Sequence, residues 1–227
     1  MNRTSSKAAE MNGWSQRLRS HLIPFKRNKL LKATIVAFAI WWVIMAIHPH
    51  EWKVWAIENF LLIAFVVLLV CFYRVFPLSN LSYMLIALFL AMHAYGGHYS
   101  YQDTPVDEWL KHTFHIKRGF YDRIVHFFFG LLIAFPVREW VMYGLKLNRT
   151  RQYIVTFSFI VAASGLFELL EMWAAYLFNK KLAAKYIGMQ DDIFDSQKDM
   201  TMSLIGVLIA IGLFYWISHV QNKKPSA

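Results

Sequence analysis

The sequence predicts an all-α polytopic membrane helix bundle with six transmembrane helices and both termini in the cytoplasm. Of its 227 residues, 57% are hydrophobic and 17% are charged, whereas a soluble domain of this size carries about 25% charged residues. The apolar residues form long runs without a helical or strand period, which is typical of helices that cross a bilayer. The single cysteine, Cys71, excludes an intramolecular disulfide.

Six apolar segments are separated by polar loops. Several are shorter than the ~20 residues that a spanning helix needs, and flanking Trp, Lys and Arg side chains are expected to complete them at the interfaces. The segments cover residues 33–47, 60–73, 81–95, 124–137, 154–178 and 200–218. They predict a transmembrane domain at 33–218, preceded by a basic cytoplasmic arm at 1–32 and followed by a cytoplasmic tail at 219–227.

The distribution of basic residues predicts the orientation. Fifteen Lys and Arg residues fall on the side that holds both termini, and nine fall on the other side. Basic loops stay in the cytoplasm, so the chain is expected to be a multi-pass protein of a bacterial cytoplasmic membrane. The net charge of +10 therefore reflects topology and not nucleic acid binding. Membrane lipids are the expected partners, and the basic arm is expected to contact anionic headgroups. The sequence is also compatible with a homo-oligomer.

Two carboxylates, Glu168 and Glu171, stand inside the fifth apolar segment. They are three residues apart and therefore share one helix face. A carboxylate at membrane depth is costly and by default marks a functional site. On the predicted topology both lie toward the outer leaflet, where 12 of the 14 acidic residues and seven of the nine histidines also fall.

The start of the fourth helix supplies further candidates. Asp122 and His126 are four residues apart and share a face, with Arg123 beside them. With Glu168 and Glu171, these three residues form the predicted catalytic set. The predicted substrate contacts lie at the exit of the third helix and the entry of the sixth: His93, His98, Tyr99, Tyr101 and Asp195.

The sequence leaves the cofactor unknown, and a divalent metal is the candidate. His, Glu and Asp side chains at three- and four-residue spacing on facing helices are how helix bundles build metal sites. A metal would act as a Lewis acid or activate water, whereas a carboxylate alone could serve as a general acid or base. Arg123 is suited to hold a phosphate. The predicted ligands are His126, Glu168, Glu171 and Asp199.

Each feature also has a structural interpretation. Asp122 and Arg123 could cap a helix, His126 could bond a carbonyl group, Glu171 could reach the headgroups, and the acids at 191–199 could form a polar loop. Their convergence on one side favours a shared polar site. Small residues on the last two helices are predicted to permit close helix packing: Gly165, Gly206 and Gly212.

Four segments resemble the YjdF-type family of bacterial inner-membrane proteins. They are HAYGGHYSY (93–101), YDRIVHFFFG (121–130), GLFELLEMW (165–173) and DDIFDSQKDM (191–200). The resemblance covers roughly residues 30–218 and implies a multi-pass membrane protein with a shared polar site, without giving a reaction. More distantly, the chain resembles the VanZ-like membrane proteins, which are associated with glycopeptide-antibiotic resistance. The residues that carry this second resemblance are Asp122, Arg123, His126, Glu168, Asp199 and Gly206, while Glu171 and Ser203 depart from the pattern.

Three functions are compatible with these observations. The first is an enzyme, with or without a metal, or a binding protein for a lipid or lipid-linked envelope substrate at the outer leaflet. The second is a proton- or cation-coupled transporter that uses Glu168 and Glu171, although the sequence has no internal repeat of the kind such proteins usually carry. The third is a non-catalytic membrane scaffold in which the polar residues are structural.

Overall fold

The protein is described here by a computed structural model, which covers residues 18–20, 23–101, 103–115, 118–176 and 192–223. Over these residues it has seven α-helices and one short 3-10 helix at Phe25–Arg27, and no β-strand. The predicted all-α class is therefore confirmed. Most of the predicted N-terminal arm and part of the tail lie outside the described residues. The α-helices are α1 (Lys29–Met45), α2 (Trp52–Val75), α3 (Asn80–His98), α4 (Pro105–Phe114), α5 (Tyr121–Tyr143), α6 (Arg149–Ala175) and α7 (Asp195–Lys223).

Four helices in the described part of the chain are long and apolar enough to cross a membrane. They are α2, α5, α6 and the stretch Asp195–Val220 of α7. Helix α1 has 17 residues and α3 has 19, slightly fewer than the ~20 that a bilayer requires. Four spans are thus supported by length and composition, while the count of six and the cytoplasmic termini stay predictions.

Capping residues fix where the helices begin. The Asn28 side chain accepts from the Leu31 backbone N–H at 3.1 Å and donates to Asn80 Oδ1 at 2.7 Å, which joins the starts of α1 and α3. At the same end, the buried carboxylate of Glu139 near the end of α5 accepts from the Ser79 backbone N–H at 2.8 Å and from the Ser79 hydroxyl at 2.8 Å. A carboxylate at a helix N-terminus is stabilised by these donors and by the helix dipole.

Helix α5 lies at the centre of the bundle and packs against α3, α6 and most extensively α7. Glycines bring α5 and α7 together: a Cβ at Gly130 would overlap the Ser203 carbonyl, and one at Gly206 would overlap the Phe127 carbonyl. The predicted packing role of Gly206 is confirmed. For Gly212 it is wrong, because a Cβ there would meet no described atom within 4 Å.

The short helix α4 was not predicted from the apolar pattern. Thr104 caps it by accepting from the Asp107 backbone N–H at 3.0 Å. The Asp107 carboxylate is fully buried and accepts from the backbone N–H groups of Phe120 at 2.6 Å and Tyr121 at 2.9 Å. Asp107 therefore ties α4 to the start of α5, and burial raises its pKa while these two bonds oppose the rise.

Candidate functional site

Ionisable side chains from five helices are buried together at one end of the bundle. This polar end is where α1, α3 and α6 finish and where α2, α5 and α7 begin. Four of these helices, α2, α5, α6 and α7, are predominantly apolar along their length, so ionisable groups inside them stand out. We call this group the polar cluster. Its buried members are Glu58 on α2, His93 on α3, His126 on α5, Glu168 and Glu171 on α6, and Asp195 and Asp199 on α7, and the half-buried Asp122 on α5 completes it.

The first part of the polar cluster is a chain of three side chains. His93 Nε2 lies 3.4 Å from the Glu58 carboxylate, and His93 Nδ1 lies 2.5 Å from the Tyr101 hydroxyl. Burial of that hydroxyl, followed by the nearby charge of Glu58, raises the Tyr101 pKa well above its usual value. The phenol therefore stays protonated at neutral pH. If it donates to Nδ1, the proton of the neutral His93 ring is on Nε2, facing Glu58.

Two adjacent glycines and a turn build this chain. Ser100 and Tyr101 both adopt positive φ angles, 54° and 58°, a conformation that non-glycine residues rarely take. The turn carries the Tyr101 ring back over Gly96, where a Cβ would overlap the ring. A Cβ at Gly97 would lie 3.3 Å from the Glu58 Cβ. The glycine pair thus lets both Tyr101 and Glu58 approach α3.

The second part of the polar cluster is centred on His126. Its Nε2 lies 3.2 Å from the Glu168 carboxylate and 3.7 Å from the Asp122 carboxylate. Its Nδ1 lies 3.3 Å from the Ser203 hydroxyl, which donates to the His126 backbone carbonyl at 3.0 Å and accepts from Ser164 at 3.0 Å. These serines therefore orient the imidazole, and Nε2 is the nitrogen that faces the carboxylates.

Phe167 connects the two parts. Its ring meets His93 and His126 edge-on, with ring centroids 6.1 Å and 5.9 Å apart. Glu171, 7% exposed, lies within electrostatic range of acids on both sides: Asp122, Glu168, Glu58 and Asp199. Phe167 therefore lies between the two histidines, where the two parts of the polar cluster adjoin.

A network of ion pairs borders the polar cluster. Asp192 Oδ2 is contacted by three cations: Arg118 at 2.8 Å, Arg123 at 2.9 Å and Lys198 at 2.6 Å. Both arginines also pair with Asp195. The hydrogen bond from Lys198 is the main reason that the pKa of Asp192 is lowered to about 2.

Two of the predicted substrate contacts lie outside the polar cluster. His98 Nδ1 bonds the Met45 carbonyl at 2.9 Å, and the Tyr99 ring packs against His98 and His50. These residues join the end of α3 to the segment between α1 and α2. The other three predicted contacts, His93, Tyr101 and Asp195, lie in or next to the polar cluster.

The predicted metal ligands are only partly brought together. His126 and Glu168 are in contact, but no group of three or more His, Cys, Asp or Glu side chains among the described residues is arranged to hold one ion. In this conformation the described side chains do not fit a metal, so the metal stays a prediction from sequence.

Sequence reasoning missed Glu58 and Arg118. Glu58 is 1% exposed and sits within α2, whereas the predicted apolar segment began at residue 60 and left Glu58 in a loop. The rule that identified Glu168, a carboxylate inside an apolar helix, would also have identified Glu58 had the helix start been known. Arg118 precedes α5, and only the fold brings it to Asp192.

Comparison with known proteins agrees with this architecture. Residues 30–219 match a family described as predicted membrane protein (DUF2238). The chain is 30% identical over 183 residues to the inner membrane protein YjdF of Escherichia coli K12, a match that covers 80% of this chain and 87% of that protein. No solved structure matches. The predicted resemblance and the predicted inner-membrane location are confirmed, and the likeness to VanZ-like proteins stays a prediction. The chain therefore belongs to the DUF2238 family of membrane proteins.

Proposed function

We propose that the protein is a membrane-embedded acid–base enzyme that acts on a lipid or lipid-linked envelope substrate, with the polar cluster in the outer leaflet. The observation that carries the proposal is the pairing of two buried histidines with carboxylates in one site. His93 lies 3.4 Å from Glu58, and His126 lies 3.2 Å from Glu168. The orientation rests on the basic residues, which are more numerous at the opposite end of the bundle.

Stability alone does not account for the polar cluster. Burying an ionisable group costs free energy unless it is fully paired. One buried oxygen each of Glu58, Glu168 and Asp199 contacts an ionisable partner at 3.4, 3.2 and 3.9 Å, but none of these contacts has hydrogen-bond geometry among the described atoms. By contrast, the buried Glu139 at the opposite end is fully engaged with Ser79 and Ser82. Unsatisfied carboxylates in an apolar bundle are typical of sites that bind or react.

The geometry of His126 suits proton transfer. A histidine acts as a general base when one nitrogen is oriented by a neighbour and the other can face the reacting group. Ser203 orients Nδ1, which leaves Nε2 between Glu168 and Asp122. The phenol of Tyr101 contacts Nδ1 of His93 at 2.5 Å and so orients the second imidazole. A substrate headgroup that reaches either histidine–carboxylate pair would exchange protons with it.

The structure offers less support for the transporter hypothesis. Between His126 and Arg138, α5 carries eleven residues without a charge, and Glu139 beyond them serves as a helix cap. A proton or cation crossing the bundle along α5 would therefore meet no titratable group in its middle. Uptake of a labelled cation into proteoliposomes that is abolished by Glu168→Gln would favour transport over catalysis.

The test compares the lipids of cells that express the wild type with those of cells that express variants at equal folded yield. Mass spectrometry of the membrane lipids and lipid-linked precursors is expected to show a change caused by the wild type and absent with Glu168→Gln and His126→Asn. Glu139→Gln is the matched control, because it alters a buried carboxylate outside the polar cluster. A profile that the wild type leaves unchanged, or that Glu168→Gln changes equally, would overturn the proposal.

A further inference from the structure

We infer that a groove between α5 and α7 binds the phosphate of an outer-leaflet lipid whose headgroup has a net negative charge, with Arg123 and Lys198 as its cationic partners. The inference rests on the proposed function, since it names the substrate class of the same site. The groove has a volume of about 310 Å³. Its lining consists of Phe120, Arg123, Ile124, Lys198, Thr201 and Met202.

The lining matches the two chemistries of a phospholipid. Phe120, Ile124 and Met202 give the groove an apolar wall that suits an acyl chain. Lys198 stands at the rim with 49% of its side chain exposed, and the Arg123 guanidinium is 13% exposed. Both cations are paired with Asp192, so an anionic headgroup gains their attraction when it replaces that carboxylate, whereas a zwitterionic headgroup of zero net charge gains less.

An oxygen anion from the chain itself already occupies the cationic position. Asp192 Oδ2 accepts from Arg123 at 2.9 Å and Lys198 at 2.6 Å. Because the pKa of Asp192 is lowered to about 2, this carboxylate is charged at neutral pH. A phosphate oxygen takes the same donors with equal or greater strength. Asp192 therefore acts as an internal competitor that the lipid phosphate displaces.

The groove leads to the polar cluster through Arg123. Its Nε lies 3.9 Å from the Asp199 carboxylate, and its guanidinium packs 5.1 Å from the centroid of the Phe120 ring. Arg123 is also adjacent in sequence to Asp122, which faces His126 at 3.7 Å. A phosphate on Arg123 would consequently hold its headgroup beside the histidine–carboxylate pairs.

The experiment uses native mass spectrometry of the purified full-length protein titrated with dioleoyl phosphatidic acid, with dioleoyl phosphatidylcholine as the neutral lipid. Wild type is expected to retain phosphatidic acid in preference. Arg123→Gln and Lys198→Gln should each weaken binding about tenfold, as the loss of one charge-assisted bond implies. Asp192→Asn should strengthen binding roughly fivefold, because it removes the competing carboxylate. Lys53→Gln, an exposed cation at the same end of the bundle, is the matched control.

Three results would overturn the inference: equal retention of both lipids, unchanged binding by Lys198→Gln, or displacement of phosphatidic acid by inorganic phosphate at equal concentration. Lys198 is half exposed, so its variant answers the question even where Arg123→Gln fails to fold. Failure here is distinct from failure of the proposed function. If Glu168→Gln still changes the membrane lipids while Lys198→Gln loses phosphatidic acid, the acid–base proposal falls and the lipid site stands.

Discussion

The ring of Tyr101 fills the space in which a side chain at position 96 would stand. This relationship makes Gly96 a requirement of the site and not of the helix, because alanine is a better helix former than glycine. The turn that brings Tyr101 back also forms a hydrogen bond from its backbone N–H to the Gly96 carbonyl at 2.8 Å. The contact between Tyr101 and His93 therefore depends on the absence of a Cβ one turn away.

Gly96→Ala is expected to destabilise the protein despite the gain in helix propensity. The added methyl group must displace an aromatic ring in a packed region, which costs about 1–3 kcal/mol. Thermal unfolding in detergent measures the effect. Gly212→Ala is the control, since the added Cβ would have no described atom within 4 Å, and it should leave the melting temperature unchanged or raise it. Equal melting temperatures for the two variants would contradict the packing of Tyr101 on Gly96.

Tyr101→Phe isolates the hydroxyl from the ring. The variant keeps the packing on Gly96 but removes the 2.5 Å contact with His93 Nδ1, which should cost about 1 kcal/mol. The raised pKa of Tyr101 adds a pH dependence. Above about pH 10 the unfolded phenol loses its proton while the folded one keeps it, so wild-type stability falls as the pH rises. Melting temperatures between pH 8 and 10.5 should therefore fall more steeply for wild type than for Tyr101→Phe, and parallel curves would refute this.

The ion pairs of Asp192 are expected to make the stability of the protein depend on pH in the acidic range. Its pKa is lowered from 3.8 to about 2 by Lys198 and its other partners. A lowered pKa means that the ion pairs stabilise the fold above pH 4 and that this contribution is lost as the pH falls toward 2. Asp192→Asn should lose less stability than wild type over that range. The measurement is unfolding at stepped pH, and identical slopes would show that the network contributes nothing.

Metal content separates the two forms of the catalytic hypothesis. Since no three ligands converge in the described residues, we expect less than one metal per chain, with no difference between wild type, His126→Ala and Glu168→Gln. Mass spectrometry of protein purified without chelators measures this. One metal per chain that is lost in both variants at unchanged folding would instead establish the metal site predicted from the sequence.

Gly206→Ala tests the crossing of α5 and α7. Its Cβ would overlap the backbone carbonyl of Phe127, which cannot rotate away as a side chain can. The helices would have to separate, at a cost of about 1–3 kcal/mol. Gly212→Ala, six residues further along the same helix, provides a matched comparison. A melting temperature for Gly206→Ala that equals that of Gly212→Ala would show that the two helices do not touch at this point.

The sequence placed His126 and Glu168 in one site because both residues lie within apolar segments, toward the same side of the membrane. It could not predict which residues near the end of α3 would join them. His93 and His98 are five residues apart, which turns them about 140° from each other around the helix, and His98 accordingly faces Met45. Tyr101 reaches His93 only through two residues with positive φ angles, and apolar periodicity carries no signal for such a turn.

The remaining site residues were missed partly because apolar segments do not show where a helix begins. Both polar and apolar residues occur where a helix enters the membrane, so hydropathy locates the helix but not its first turn. Helix α2 begins eight residues earlier than predicted, and that difference moves Glu58 from a loop into the interior. The contacts of Arg118 and Asp107 arise between segments distant in sequence, which no single-segment pattern can reveal.

The glycine contact between α5 and α7 also restricts how the polar cluster can move. Where their backbones touch at Gly130 and Gly206, the two helices cannot shift along each other without a clash, so a rocking motion between them would be centred on this contact. His126 lies one turn from Gly130 and therefore stays close to the pivot, while Lys198 and Asp192 lie further out along α7 and its approach. A scissor motion of a few degrees would open the groove at its rim and leave the spacing of the histidine and its carboxylates almost unchanged.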